Sequence, residues 1–177
     1  DLPVAGAKMT GKVGSFSMAY LGAVDEAPRT IFDRGHDAVY NLLRLRRDMG
    51  TGSSVGLLYT DRTLNGAEGH NRVLSGDVRL LFGGRYTLQT QLTGSWTETP
   101  AGDVGGGMQP FVTVDFQRSG RNFSAQLRVE DVHPDFRTFS GFVPRTGDTQ
   151  ARGSLRLTRF PSSGGAIESY GAELRSN

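Results

Sequence analysis

Between Arg85 and Glu98 the chain alternates strictly: Tyr86, Leu88, Thr90, Leu92, Gly94 and Trp96 face one way, and Thr87, Gln89, Gln91, Thr93 and Ser95 the other. Successive side chains of a β-strand point to opposite faces, so this is a strand with one apolar and one polar side. A helix would scatter both sets around its circumference. The pattern recurs in Phe16, Met18, Tyr20 and Val24 against Ser17, Ala19, Leu21 and Ala23, and in Phe123, Ala125, Leu127 and Val129 against Ser124, Gln126, Arg128 and Glu130. Ala7, Met9, Gly11 and Val13 alternate with Lys8, Thr10 and Lys12, and Leu155 and Leu157 with Ser154, Arg156 and Thr158. Roughly ten such segments of about ten residues follow one another, the length that crosses a bilayer at a tilt.

Composition closes off other classes. No apolar run approaches the ~18 residues of a spanning helix. The hydrophobic fraction of 36% still suits a barrel, whose strands place an apolar residue only at every second position. Lys+Arg 20 against Asp+Glu 18 leaves no field that would gather nucleic acid. With no cysteine there is no disulfide framework, thiolate metal site or cysteine nucleophile. The expectation is one all-β unit over residues 1–177, an antiparallel up-and-down transmembrane β-barrel segment.

The connections carry a signal independent of hydropathy, because short and long links alternate. Short ones are expected around Val13 and Gly14, Met49 to Ser53, Gly83 and Gly84, Arg118 to Arg121, and Pro161 to Gly165. Gly83-Gly84 suits a two-residue hairpin turn. Long ones are expected from Asp25 to His36, Asp61 to His70, Thr99 to Gly107, and Val132 to Asp148. Short periplasmic turns and long external loops produce this rhythm. Phe16, Phe82, Tyr86, Phe116, Phe123 and Phe160 fall beside short turns, and Tyr40, Tyr59, Trp96 and Phe111 nearer the long loops, which gives two aromatic bands of the kind membrane interfaces favour. In the third strand Val39, Leu43 and Leu45 can face lipid, while Arg44, Arg46 and Arg47 crowd its short-turn end; two can turn inward and the third lie among headgroups.

Few constellations suggest chemistry. Gly6-Ala7-Lys8-Met9-Thr10-Gly11-Lys12 nearly spells a phosphate loop, but Val13 stands where the magnesium-binding hydroxyl belongs and no helix pattern follows. His36, His70 and His133 are expected in long loops and fit no zinc spacing; Asp33 with His36, or Asp131 with His133, is the nearest thing to a water-activating pair. No catalytic residue, cofactor or metal is assigned, and the chain is not expected to be an enzyme. The charges of the polar face are Lys8, Lys12, Asp77, Arg79, Asp115, Arg128, Glu130, Arg152 and Arg156. A basic side chain near the bilayer midplane costs about 2 to 4 kcal/mol facing lipid, so these nine are the candidate lumen-lining residues, either along a solute path or in a salt-bridged network that fills the lumen.

Several blocks resemble a known family. Gly6 to Gly14, Leu45-Arg46-Arg47-Asp48, Ser54-Val55-Gly56 with Thr60-Asp61-Arg62, Asn71-Arg72-Val73 with Gly76-Asp77, and Gly141-Phe142-Val143-Pro144-Arg145-Thr146-Gly147 occur in that order. Together they resemble the uncharacterised bacterial outer-membrane β-barrel domain that commonly follows a carbohydrate-binding module of family-9 type. The resemblance implies a large surface-associated barrel with a part in polysaccharide capture or uptake, and assigns no catalytic residue. The expected function is therefore pore or transport, with oligosaccharides among the candidate solutes, in the outer membrane; the expected partners are outer-membrane lipid, small polar solutes, and further strands from the same or another chain, and not nucleic acid. The alternatives are a soluble β-sandwich acting as a glycan-binding module or surface lipoprotein, and, behind it, a barrel hydrolase. Strand parity adds one more expectation: a first strand that starts on the long-loop side implies at least one further strand at each end, about twelve or more in all.

Overall fold

The computed structural model describes residues 4–25, 37–64, 69–99, 101–141, 143, 145–161 and 168–176. These form ten strands and, among the described residues, no helix: β1 (Ala5–Val13), β2 (Phe16–Asp25), β3 (Ala38–Asp48), β4 (Ser54–Leu64), β5 (His70–Phe82), β6 (Tyr86–Thr99), β7 (Gly102–Arg118), β8 (Phe123–Val132), β9 (Asp148–Arg159) and β10 (Tyr170–Ser176). All ten belong to one sheet in sequence order, each antiparallel to the next. β1 and β10 do not pair with each other, so the sheet is open.

Residues opposite one another across an antiparallel ladder share a face. The ladder Met18–Leu45–Leu57–Gly76–Leu92–Val112 runs across six strands and defines an apolar face. Leu80 lies opposite Leu88 on that face, as the alternation requires. Ser75 opposite Thr93, and Ser95 opposite Gln109, define the polar face. Burial is inverted relative to a water-soluble sheet. Leu92 is 58% exposed and Leu57 43%, whereas Ser95 is 0% and Ser75 2% exposed.

The apolar band has two edges. At the long-link end the ladder Asn41–Asp61–Arg72–Trp96 crosses four strands, with Arg72 Nε 3.1 Å from Asp61 Oδ1 and Tyr20 Oη donating to Asn41 Oδ1 at 2.8 Å. At the short-turn end lie Phe16, Phe82, Tyr86, Phe116 and Phe123. From Leu74 to Phe82 along β5 is about eight steps of ~3.3 Å, which at a tilt of ~40° spans ~20 Å of height.

Three sequence expectations are corrected. The stretch Thr99 to Gly107 is not a long loop: β7 begins at Gly102, and residues 100–101 alone connect it to β6. The glycines that suggest a loop instead form a bulge, where pairing jumps from Ser95↔Gln109 to Thr97↔Val104 and Gly105, Gly106 and Gly107 all have positive φ. Gln109 Nε2 donates to Gly105 O at 2.9 Å and ties the bulge down. The link from Asp61 to His70 is likewise shorter, because β4 continues to Leu64 and His70 opens β5. Gly83-Gly84 makes a three-residue turn with Arg85, both glycines at positive φ, and Phe82 pairs with Tyr86 across it. Most of the Asp25 to His36 link, and residues 162–165 of the Pro161 to Gly165 link, lie outside the described residues.

The aromatic bands are also redrawn. Tyr59 and Trp96 sit on the apolar face as expected, joined by Tyr20. Tyr40 and Phe111 do not: Tyr40 pairs with Arg62, and Phe111 with Val132, on the polar face. A one-residue change of parity sends a side chain to the other face, and position near a strand end does not report parity. Of the three crowded arginines, Arg44 and Arg46 lie on the polar face and Arg47 on the apolar face.

Candidate polar-face site

The link after β8 folds back over the polar face. Asn71 of β5 makes three of the hydrogen bonds around its first part, residues 133–141, two of them to the segment's backbone. Asn71 Nδ2 donates to Arg137 O at 3.0 Å and to Thr97 Oγ1 at 2.8 Å, and its Oδ1 accepts from Phe139 N–H at 2.9 Å. Arg137 N–H also donates to Ser95 Oγ at 3.3 Å. Asn71 is 0% exposed, so these bonds form where water cannot replace them. Beside this clamp Phe136, 2% exposed, meets Phe111 edge-on at 5.5 Å between ring centroids and packs with Val73, Val132 and Val143. The guanidinium of Arg62 stacks over both Tyr40 and Phe139, 5.5 and 5.3 Å from the ring centroids. Of the sequence block Gly141 to Gly147, Phe142 and Pro144 lie outside the described residues.

Next to the folded segment is a cleft of about 520 Å³, lined by Phe111, Arg128, Glu130, Asp148, Gln150 and Arg152 among others. Arg128 and Arg152 also line a second cleft of about 530 Å³ that continues toward the short turns past Gln126, Ser154 and Arg156. The structure thus brings together Arg128, Glu130, Arg152 and Arg156 on adjacent strands, with Asp115 opposite Arg128. Arg128 Nη2 is 3.2 Å from Glu130 Oε2, Arg156 Nη2 is 2.9 Å from Glu173 Oε2, and Asp115 Oδ2 accepts from Gln126 Nε2 at 3.2 Å. Arg152 stands directly opposite Arg128 and bonds to the Gln150 amide. Like charges directly opposite each other destabilise a strand pair, so the sheet carries this juxtaposition at some cost in stability.

The other sequence-singled charges share the face but not the cleft. Lys8 and Lys12 are on β1, with Lys12 Nζ 3.2 Å from Asp48 Oδ2. Arg79 Nε donates to Gly52 O at 3.2 Å near a short turn. Asp77 forms a two-pronged pair with Arg44, Nη2 to Oδ1 at 2.9 Å and Nη1 to Oδ2, across the intervening strand β4. That crossing needs Gly56: a Cβ there would lie 2.6 Å from Asp77 Oδ2 and closer still to Arg44. Neither the Arg44–Asp77 pair nor the Asn71 clamp was visible as a pairing in the sequence. A glycine at a polar-face position flanked by strands bearing opposite charges is the signal that marks the first.

Of the histidines expected in long loops, His133 lies in the link after β8 as expected and His70 does not. His70 is the first residue of β5, its Nδ1 3.1 Å from Glu98 Oε2. His133 Nδ1 accepts from Asp135 N–H at 3.2 Å, while Asp131 Oδ1 accepts from the Thr149 hydroxyl at 2.5 Å, so Asp131 and His133 engage other groups. Asp33 and His36 lie outside the described residues. Compared with known proteins, the chain matches no family model, no curated protein and no solved structure.

Proposed function

We propose that the chain is a segment of an outer-membrane β-barrel whose polar face lines a path for small polar solutes, with oligosaccharides the class its sequence blocks suggest. The observation that carries this reading is the inverted burial. A band of exposed Met18, Leu45, Leu57 and Leu92 faces outward, while Ser75, Thr93 and Ser95 are enclosed on the other side. A single sheet with such an apolar face has no second layer to cover it in water; a sandwich would need one, and the described residues form one sheet only. Lipid is the medium in which that face is at rest. The band ends at the Asn41–Asp61–Arg72–Trp96 ladder on one side and at an aromatic row on the other, as interfacial residues bound a membrane-spanning surface. On the polar face the folded segment 133–141 narrows the space beside a cleft rich in arginine and carboxylate, an arrangement that sorts solutes by size and charge.

The test is to refold the chain into lipid vesicles and planar bilayers. Leu92→Arg should lower the stability of the inserted state by about 2 to 4 kcal/mol, and Gln91→Arg, one residue away on the polar face, by much less. Arg128→Leu should change ion selectivity with little effect on insertion. Equal losses from Leu92→Arg and Gln91→Arg, or a chain that stays soluble and monomeric without detergent, would overturn the proposal.

A further inference from the structure

Five arginines gather where the apolar face meets the short turns. Arg47, Arg118 and Arg159 are at strand ends on that face, and Arg85 and Arg121 are in the turns beside them. Three of them lie over aromatic rings. The Arg47 guanidinium is 5.2 Å from the Phe16 centroid, Arg121 is 4.3 Å from Phe160, and Arg118 sits between Phe123 at 4.8 Å and Tyr86 at 5.7 Å. Arg118 also donates to Tyr86 Oη at 3.3 Å and to Phe123 O, which fixes its plane. The rings form a row of their own, with Phe82 stacked on Tyr86 at 5.4 Å and Tyr86 on Phe116 at 6.1 Å.

The charge at this end is one-sided. Among the described residues the acids within three positions of it are Glu168 and three on the polar face that are already engaged, Asp48 by Lys12 and Arg46, Glu173 by Arg156 and Arg175, and Asp115 by Gln126. The opposite end carries an excess of acid among the described residues, Asp25, Asp37, Asp61, Glu98, Asp103, Glu130, Asp131, Asp135 and Asp148 against Arg62, Arg72, Arg137 and Arg145. Ion pairing within the protein therefore does not account for the five arginines. A guanidinium over a ring is partly desolvated and held in place, and the N–H groups it does not spend inside the protein, fewest on Arg118, can bind a planar or tetrahedral anion. The neighbouring apolar band offers the same ligand a surface for acyl chains.

We propose that this rim binds the phosphate headgroups of anionic phospholipid in the leaflet next to the short turns, and so fixes the sheet's depth and orientation in the bilayer. The proposal rests on the membrane reading above and adds to it a lipid class and a side. A basic side chain near an anionic membrane surface strengthens attachment about five-fold, so the three ring-stacked arginines together should matter by roughly a hundredfold at low salt.

The experiment refolds the chain into vesicles of phosphatidylcholine alone and of phosphatidylcholine with phosphatidylglycerol, and measures the inserted fraction by flotation over a range of lipid concentrations. The wild-type chain should insert into both and require far less of the anionic lipid, a preference that fades as salt shortens the screening length. The triple variant Arg47→Gln/Arg118→Gln/Arg121→Gln should insert into neutral vesicles as before and lose the preference. The matched triple Arg72→Gln/Arg137→Gln/Arg145→Gln changes net charge equally at the other end and should keep it. Insertion with no anionic preference, or equal loss in both triples, overturns the lipid site and leaves the membrane reading standing. Failure to insert into either vesicle overturns both.

Discussion

At Gly56 the lack of a side chain allows residues on two non-adjacent strands to meet. Arg44 on β3 and Asp77 on β5 reach over β4 through the space a Cβ would fill. Both side chains are about a third exposed, so the pair alone is worth on the order of 1 kcal/mol. A branched side chain at 56 removes the pair and overpacks the site as well. Gly56→Val should therefore lower stability in detergent by about 2 kcal/mol or more, read from the midpoint of denaturant unfolding. In an Arg44→Leu/Asp77→Leu background the same substitution should cost less, because the contact it disrupts is already gone. An equal cost in both backgrounds would place the effect of Gly56 in the backbone instead. Asn71 works on the opposite logic, with every polar atom of its side chain in use. Asn71→Ala strands Arg137 O and the Phe139 N–H against a buried wall and should cost about 1 to 3 kcal/mol. It should also make the segment 133–141 a preferred cleavage site in limited proteolysis; unchanged resistance there would mean that Phe136 holds the segment without the clamp.

At the scale of elements, the strands were legible in the sequence because period-two alternation is a direct consequence of strand geometry. The alternation predicts roughly ten segments, and the described residues form ten strands with Leu80 and Leu88 on a common face. The links were less legible. Glycine at 105–107 suggests a loop by composition, whereas in the structure it supplies the positive φ of a bulge inside a continuing ladder. Composition reports that a backbone can turn, and it does not report whether pairing resumes beyond the turn. The same limit applies to Tyr40 and Phe111, whose nearness to strand ends is visible in the sequence and whose parity is not. The polar-face cleft was legible as a set of charges, among which Arg128, Glu130, Arg152 and Arg156 come together. The inward segment that borders the cleft depends on contacts between residues more than sixty positions apart, such as Phe139 with Asn71, and no local pattern encodes those.

At the scale of the whole molecule the sheet has two free edges. Every residue of β1 and of β10 is exposed, while β4 to β6 carry most of the buried positions. Hydrogen exchange in detergent should accordingly run at least tenfold faster at the amides of β1 and β10 than in β5 and β6, because local opening near an edge approaches zero free energy. Equal protection would mean that the edges are covered, by each other or by a second copy of the chain. The order of the strands has another consequence. Each strand pairs only with the strands before and after it in sequence, so every ladder joins near neighbours along the chain. Such a sheet can zip up one hairpin at a time, without waiting for distant segments to find each other. A hairpin is then also a separable unit: duplicating or deleting one changes the width of the structure and requires new pairing only between the two strands that flank it. In this architecture lineages can change strand number in twos, with the turns marking where the joins are made.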